Sequence, residues 1–378
     1  MKKASLPNMT RRRFATLAAL VAASCALPVL SGCDSGKSAP STKAEELRAA
    51  YEAGDAGVQL FVDSCGREVA LPADIRAISP SGAYAQIMLS TLCPEKLASL
   101  SSRWGEAQLA YLPSFLGDLP VLGRFYGKNG DMNFEEIIKL SPDVIIDIGE
   151  PKESIAADMD ALQQQTGLPV IFVEATLLHV AEAYRSLGGA LGCSSRAEEL
   201  AAYVDEVLAF ADANRAKIAT DGLKVLYSGG PYGYDVKAAN TVHGAVLDLV
   251  GVVNVADLQG VNSTEVSPEQ VMLWAPEVVL LSPADGFLDY IYADSTWGGI
   301  PAVMERRVYE VPGEPYEWMD KPPSVQVVLG VLWLGNLLYP EIYDFDMVDE
   351  TCEFYRLFWG YDLPEEAARA LLSRSTLL

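Results

Sequence analysis

The chain has 378 residues, with 28 Lys+Arg against 51 Asp+Glu for a formal net charge of −23, and 50% of it is hydrophobic. The first 32 residues carry five basic and no acidic residues, which leaves −28 for the remainder and argues against a nucleic-acid partner or adsorption to anionic lipid. Some 345 residues (roughly) lie beyond that segment, enough for two domains with their own cores.

Residues 1–32 read as an export signal. Lys2, Lys3 and Arg11 to Arg13 precede an apolar run from Phe14 to Leu30, and Leu30-Ser31-Gly32-Cys33 ends it. Pro28 interrupts the run, which falls short of the ~20 apolar residues a membrane-spanning helix requires. Leu-Ser-Gly-Cys resembles the bacterial lipobox, which implies that Cys33 is lipidated and holds the chain on the outer face of the plasma membrane. Asp34 resembles the inner-membrane retention signal of bacteria with two membranes, and Thr10 to Phe14 resembles a twin-arginine signal, with general secretory export as the alternative. Residues 33–57, rich in Ser, Lys, Ala, Glu and Gly, read as anchor and flexible tether, with a short helix through Ala44 to Glu52.

Val58 to Leu71 alternates apolar and polar residues around Cys65-Gly66, the pattern of a hairpin. Short apolar strands then alternate with loops and amphipathic helices: Ile75–Ile78, Leu97–Leu100, Val144–Ile148 and Val170–Val173. The spacing predicts one long helix from Ser195 to about Thr220, opened by a capping box of Ser195 and Glu198, with Leu200, Val204, Val207, Leu208 and Ala211 as its apolar stripe. Such a helix is about 37 Å long, enough to span two domains. Beyond it the strands Lys224–Tyr227, Val278–Leu281 and Val308–Val311 restart the α/β pattern, and a helical stretch runs from Ser324 to Ala370. Met132 to Ile146 matches Val266 to Leu280 in pattern: a capped helix, a proline break and a buried strand in each half. The expected fold is therefore α/β: two Rossmann-like lobes, residues 58–193 and 221–378, joined by a backbone helix over 194–220, with a ligand cleft between them.

Cys65, Cys93, Cys193 and Cys352 are widely spaced and form no Cys-x-x-Cys, so zinc and redox motifs are disfavoured; they read as buried thiols whose pairing stays open. Two isolated histidines, no His-Glu-x-x-His, no Gly-x-Ser-x-Gly and no Gly-x-x-x-x-Gly-Lys leave no enzymatic mechanism to propose.

Val62 to Pro72, Pro120-Val121-Leu122-Gly123, Asn133-Phe134-Glu135 with Ser141 to Ile145, and Trp297 to Val303 together resemble the helical-backbone class of periplasmic binding proteins, which carry ferric siderophores, haem and cobalamin. The resemblance covers Val58 to about Tyr343 and implies a monomeric solute-binding lipoprotein that delivers a metal chelate to an ABC importer permease dimer. It implies that Glu135 and Glu269, each second in its helix, pair with the permease; the helix dipole alone also favours acidic residues there.

The loops at the carboxyl ends of the strands supply the expected cleft contacts: Tyr84, Arg103, Trp104, Arg124, Tyr126, Tyr232, Tyr234, Trp297 and Trp318, with Arg103 and Arg124 foremost. Aromatic faces suit a large chelate and arginine forks suit anionic oxygens, although loop aromatics also serve as packing. No resident cofactor or metal is expected. The cargo reading is a ferric siderophore or related chelate, with haem, cobalamin, molybdate, or a sensing or scaffold role as alternatives. Haem would want an axial ligand, and His179 and His243 both read as satisfied residues within helices.

Overall fold

The computed structural model describes residues 41–125, 130–220, 222–283, 286–322 and 324–373. The export signal, Cys33 and Tyr126 lie outside them. The described residues, from Ser41 on, form one compact unit.

It opens with the helix Lys43–Glu52, held by a capping box of Thr42 and Glu45. Lys43 Nζ reaches the Pro142 carbonyl at 2.8 Å and Asp143 Oδ1 at 3.1 Å, so this part of the expected tether is pinned to the body. Strands β1 (Val58–Val62) and β2 (Glu68–Pro72) make the predicted antiparallel hairpin.

In the first lobe, β3 (Ile78–Pro80), β4 (Val144–Gly149) and β5 (Val170–Glu174) lie parallel in that order. The runs of β4 and β5 are continuously apolar because both faces of a parallel sheet are covered. Leu97–Leu100 is not a strand: Leu97 bridges Ile78 and Leu100 bridges Val121, so the segment changes neighbours before a ladder can form.

In the second lobe, β6 (Lys224–Gly229), β7 (Asp235–Lys237), β8 (Val253–Asn254), β9 (Ser263–Glu265), β10 (Val278–Leu281) and β11 (Val308–Glu310) form a sheet of order β11-β10-β6-β7-β9, with β8 paired to the start of β6. Strands β6, β10 and β11 are parallel, so their carboxyl ends share one edge.

The long helix runs from Ser194 to Ala219, 26 residues, or about 39 Å. Leu200, Val204, Val207 and Ala211 are buried along it, whereas Leu208 is only partly covered. The expected capping box is absent: Cys193 is the N-cap without a side-chain bond, and Glu198 is taken by the Arg185 fork at 2.8 and 2.9 Å.

The carboxyl-terminal stretch is three helices, Gln326–Leu338, Met347–Phe354 (continuing as a π-helical turn through Trp359) and Glu365–Leu372. One apolar core joins Met88 and Ile146 of the first lobe, Leu200 of the long helix, Tyr227 and Leu280 of the second lobe, and Leu332 and Phe358 of the terminal helices. The connection between lobes is thus a packed core as well as a helix. Gly330 permits it, since a Cβ there would lie 1.8 Å from the Trp318 carbonyl oxygen.

The two halves repeat down to their caps. Helices Phe134–Leu140 and Pro268–Trp274 are each 7 residues long, and the Asn133 and Ser267 side chains accept from the Glu136 and Gln270 amides at 3.2 and 3.3 Å. Each ends on a non-glycine residue in the left-handed region, Ser141 at φ 49° and Ala275 at φ 47°, before a proline and a buried strand.

Candidate functional site

Residues that follow β3, β4 and β5 meet residues that follow β7, β10 and β11 along a seam that holds three adjoining cavities. The first, about 460 Å³, is lined from the first lobe by Tyr84, Glu150 and Thr176 and from the second by Asn240, Val246 and Met319. The second, about 270 Å³, is lined by Gln86, Ser102, Arg103, Trp104, Gln108 and Tyr316. Pro322 borders both. The third, about 400 Å³, shares Gln108 and Tyr316 with the second and adds Glu314, Glu317 and Lys321.

The second cavity is built by a clamp. Buried Gln86 accepts from the Ser101 amide at 2.7 Å, the Ser101 hydroxyl at 2.9 Å and the Ser102 amide at 3.1 Å, and its own amide donates to the Ser102 carbonyl at 3.1 Å. With the loop fixed, Arg103 is exposed at the mouth while Trp104 is buried at 4% exposure, its ring centroid 6.2 Å from that of Tyr316. The Trp104 Nε1–H has no hydrogen-bond partner. Buried polar atoms of Tyr203, Gln326 and Tyr343 share that condition, but none of these residues borders the cavities. An indole donor buried without an acceptor costs about 1–3 kcal/mol, and a ligand oxygen in the cavity relieves it.

The lobes also touch across the seam. Gln108 Nε2 donates to the Pro315 carbonyl at 3.0 Å and Tyr111 donates to Glu314 Oε2 at 2.6 Å. In the wall of the third cavity, Glu317 accepts from Tyr227 and from Ser282 at 2.7 Å, and burial pushes its carboxyl up to about 8. Asp147, beneath the first-lobe loops, accepts from Ser81 and is pushed up to about 6 by burial. Lys237, almost fully buried, sits 3.4 Å from Asp235 and 3.8 Å from Asp320, and Asp320 also meets His243.

The expected contacts separate into groups. Tyr84, Arg103 and Trp104 line cavities, and the Tyr84 hydroxyl donates to the Ala175 carbonyl while burial raises its pKa. Arg124 is exposed and borders none of the three cavities; its backbone anchors Asp131. Trp297 and Trp318 are core residues, not cleft walls: Trp297 stacks on Tyr234 at 5.4 Å and donates to the Tyr232 carbonyl at 3.2 Å, and Trp318 donates to the Glu314 carbonyl at 3.3 Å. Tyr232 projects into solvent, 67% exposed, and Tyr234 packs on the second-lobe core. Glu135 and Glu269 are exposed at matching helix starts, and hydrogen bonds from its own backbone amide and Ser267 lower the Glu269 pKa. Gln86, Ser102 and Gln108 escaped the sequence reading because polar residues inside helical and loop patterns carry no signal of convergence.

His179 pairs with Glu174 at 3.1 Å and His243 with Asp320, so both histidines are engaged. Among the described residues no three metal-ligating side chains converge, and no helix is long and apolar enough to cross a membrane.

A sequence profile described as periplasmic binding protein matches residues 126–315. The molybdate-binding protein MolA of Haemophilus influenzae is 30% identical over 131 residues, which cover 33% of this chain and 36% of that protein. Among solved structures, an ABC transporter solute binding protein from Sulfurospirillum deleyianum is similar with a TM-score of 0.75 and 28% identity, covering 83% of this chain and 99% of the other. A periplasmic solute binding protein from Veillonella parvula gives a TM-score of 0.71 at 27% identity, covering 84% of this chain and 98% of the other. MolA bound to molybdate shares the fold at a TM-score of 0.67 and 17% identity, over 81% of this chain and 99% of that one.

Proposed function

Since the chain belongs to the periplasmic binding protein family, we propose that it is the extracytoplasmic solute-binding component of an ABC importer and that its cargo is an anionic, oxygen-rich metal complex of the ferric-siderophore kind. The observation that carries the cargo reading is the unpartnered, buried Trp104 Nε1–H beside Arg103 in a seam between lobes. An indole donor and a guanidinium fork together select for negatively charged oxygen, and on a chain of net charge −23 such a spot is distinctive. The adjoining cavity of about 460 Å³ falls within the ~300–1,000 Å³ usual for small-molecule pockets and supplies apolar wall for the body of a chelate. Similarity to an ABC transporter solute binding protein supports the importer role. In this reading Cys33 carries the lipid anchor, the protein works as a monomer, and Glu135 and Glu269 meet the two halves of the permease.

A second cargo reading is a compact oxyanion such as molybdate. Two observations favour it: the similarity to a molybdate-binding protein, and the second cavity, whose 270 Å³ lies below that usual range. Haem has less support, because carboxylates already engage both histidines.

The test is a thermal-shift screen of the purified protein against ferric catecholate, hydroxamate and carboxylate siderophores, haem, cobalamin and molybdate, followed by calorimetry. A ligand that binds only the folded state raises the unfolding midpoint. The expected result is stabilisation by one anionic class, weakened in Arg103→Ala. Stabilisation by a neutral or cationic ligand, or binding indifferent to Arg103→Ala, would overturn the cargo reading.

A further inference from the structure

Of the four described cysteines, two already have oxygen partners: Cys65 Sγ donates to Asp63 Oδ1 at 3.2 Å and Cys352 Sγ to the Leu363 carbonyl at 3.3 Å. Cys93 and Cys193 lie on segments that meet, and each thiol perturbs the titration of the other. Cys93 follows the helix Ala83–Leu92, and Cys193 caps the long helix. Cross-links fix the two segments on either side of the sulfurs: Arg196 donates to the Thr91 carbonyl at 3.4 Å, and Lys96 Nζ donates to the Leu191 carbonyl at 2.7 Å. The backbone is held as well, since the Cys193 amide donates to the Gly188 carbonyl and the Lys96 amide to the Cys93 carbonyl.

We propose that Cys93 and Cys193 are a disulfide site that closes when the protein meets a disulfide-bearing oxidant, fastening the start of the long helix to the first lobe. Cys93 is fully buried and Cys193 half-buried, so the oxidant can reach only Cys193. Its thiolate is favoured by the Cys93 thiol and the nearby Lys96 ammonium, which lower its pKa, while Cys193 and burial raise that of Cys93. The Cys193 thiolate attacks the oxidant's disulfide, forms a mixed disulfide and expels one oxidant thiolate. Cys93 then loses its proton and attacks Cys193 Sγ, expelling the second oxidant thiolate. Two protein thiols are oxidised to one disulfide and the oxidant's disulfide is reduced to two thiolates, which take up the two protons the cysteines gave up. An extracytoplasmic location is where such oxidants operate, although the geometry does not depend on it. The loop closed runs from residue 93 to residue 193, long enough for the bond to restrict the unfolded chain substantially.

The experiment exposes native reduced protein to glutathione disulfide, blocks remaining thiols with an alkylating agent, and maps peptides without reduction. The expected result is a Cys93–Cys193 linked peptide with Cys65 and Cys352 alkylated, and an unfolding midpoint raised by about 5–10 °C over the reduced form. Cys193→Ser, at the less buried position, should keep the fold and lose the oxidant-induced rise. A lasting glutathione adduct on Cys193, full alkylation of both residues, a link to Cys65 or Cys352, or a rise that persists in Cys193→Ser would each overturn the proposal.

Discussion

Trp104→Phe separates a ligand-facing donor from a packing residue. The substitution keeps an aromatic ring against Tyr316, 6.2 Å away, and deletes a buried Nε1–H that has no protein partner. In the ligand-free protein two effects oppose each other. Relief of a buried unsatisfied donor gains about 1–3 kcal/mol, and the smaller ring leaves a void that costs a comparable amount. The midpoint of unfolding should therefore move little. With an anionic cargo bound, the variant loses a hydrogen bond to a charged group, about 1.5–3 kcal/mol, or roughly 10- to 150-fold in Kd. Calorimetric titration of wild type and variant with the ligand identified by the screen reads the second effect, and thermal unfolding without ligand reads the first. Unchanged affinity refutes the assignment of Trp104 to the cargo. A large drop in ligand-free stability with a matching loss of binding would make Trp104 a structural residue only.

Glu317→Gln should alter the pH dependence of stability. Burial raises the folded pKa from an ordinary 4.5 to about 8, so between those values the folded state holds a proton that the unfolded state releases, and stability falls as pH rises through that window. The variant, with no proton to lose, should be less sensitive to pH there and gain on the wild type by a few kcal/mol at pH 8.5; parallel denaturation curves at pH 5 and 8.5 check this. Gly330→Ala should destabilise by at least ~1–3 kcal/mol in chemical denaturation, because its Cβ would sit 1.8 Å from the Trp318 carbonyl oxygen and the loss exceeds the ~1 kcal/mol that alanine gains in helix propensity. Glu135→Lys with Glu269→Lys should abolish cargo uptake in cells while leaving Kd in calorimetry unchanged; retained uptake would remove the docking role.

The fold was largely legible because apolar periodicity reports burial directly. Val144–Gly149, Val170–Glu174 and Val278–Leu281 appeared as strands, and the long helix began and ended within a residue of its predicted span. Its cap was misread because Ser195 and Glu198 satisfy the local pattern, whereas the helix begins a residue earlier at Ser194 and Glu198 pairs with its tertiary neighbour Arg185. The candidate site was only half legible. Loop position singled out Tyr84, Arg103 and Trp104, which line cavities, together with Trp297 and Trp318, which sit in equally suggestive loops and are buried in the core; it cannot distinguish a wall from a core residue. Gln86 and Gln108, which position the walls, belong to contacts far apart in sequence that no local pattern encodes.

The same long-range contacts bear on how cargo enters and leaves. A lone helix between lobes would bend as a rod, but here the apolar core runs from Met88 through Leu200 to Phe358 and ties both lobes to the terminal helices. Opening the seam as a wide hinge would expose part of that core at about 25 cal/mol for each Å² of apolar surface, whereas the cross-seam bonds of Gln108 and Tyr111 are polar and net about 0.5–1.5 kcal/mol each. The cheap motion is therefore to break those two contacts and let the loops around Trp104 and Glu314 part, with the lobes rocking by a small angle on an intact core. If cargo occupies the seam as proposed, its exchange should depend on the seam loops and not on domain separation, and substitutions beside the second and third cavities should change its release rate.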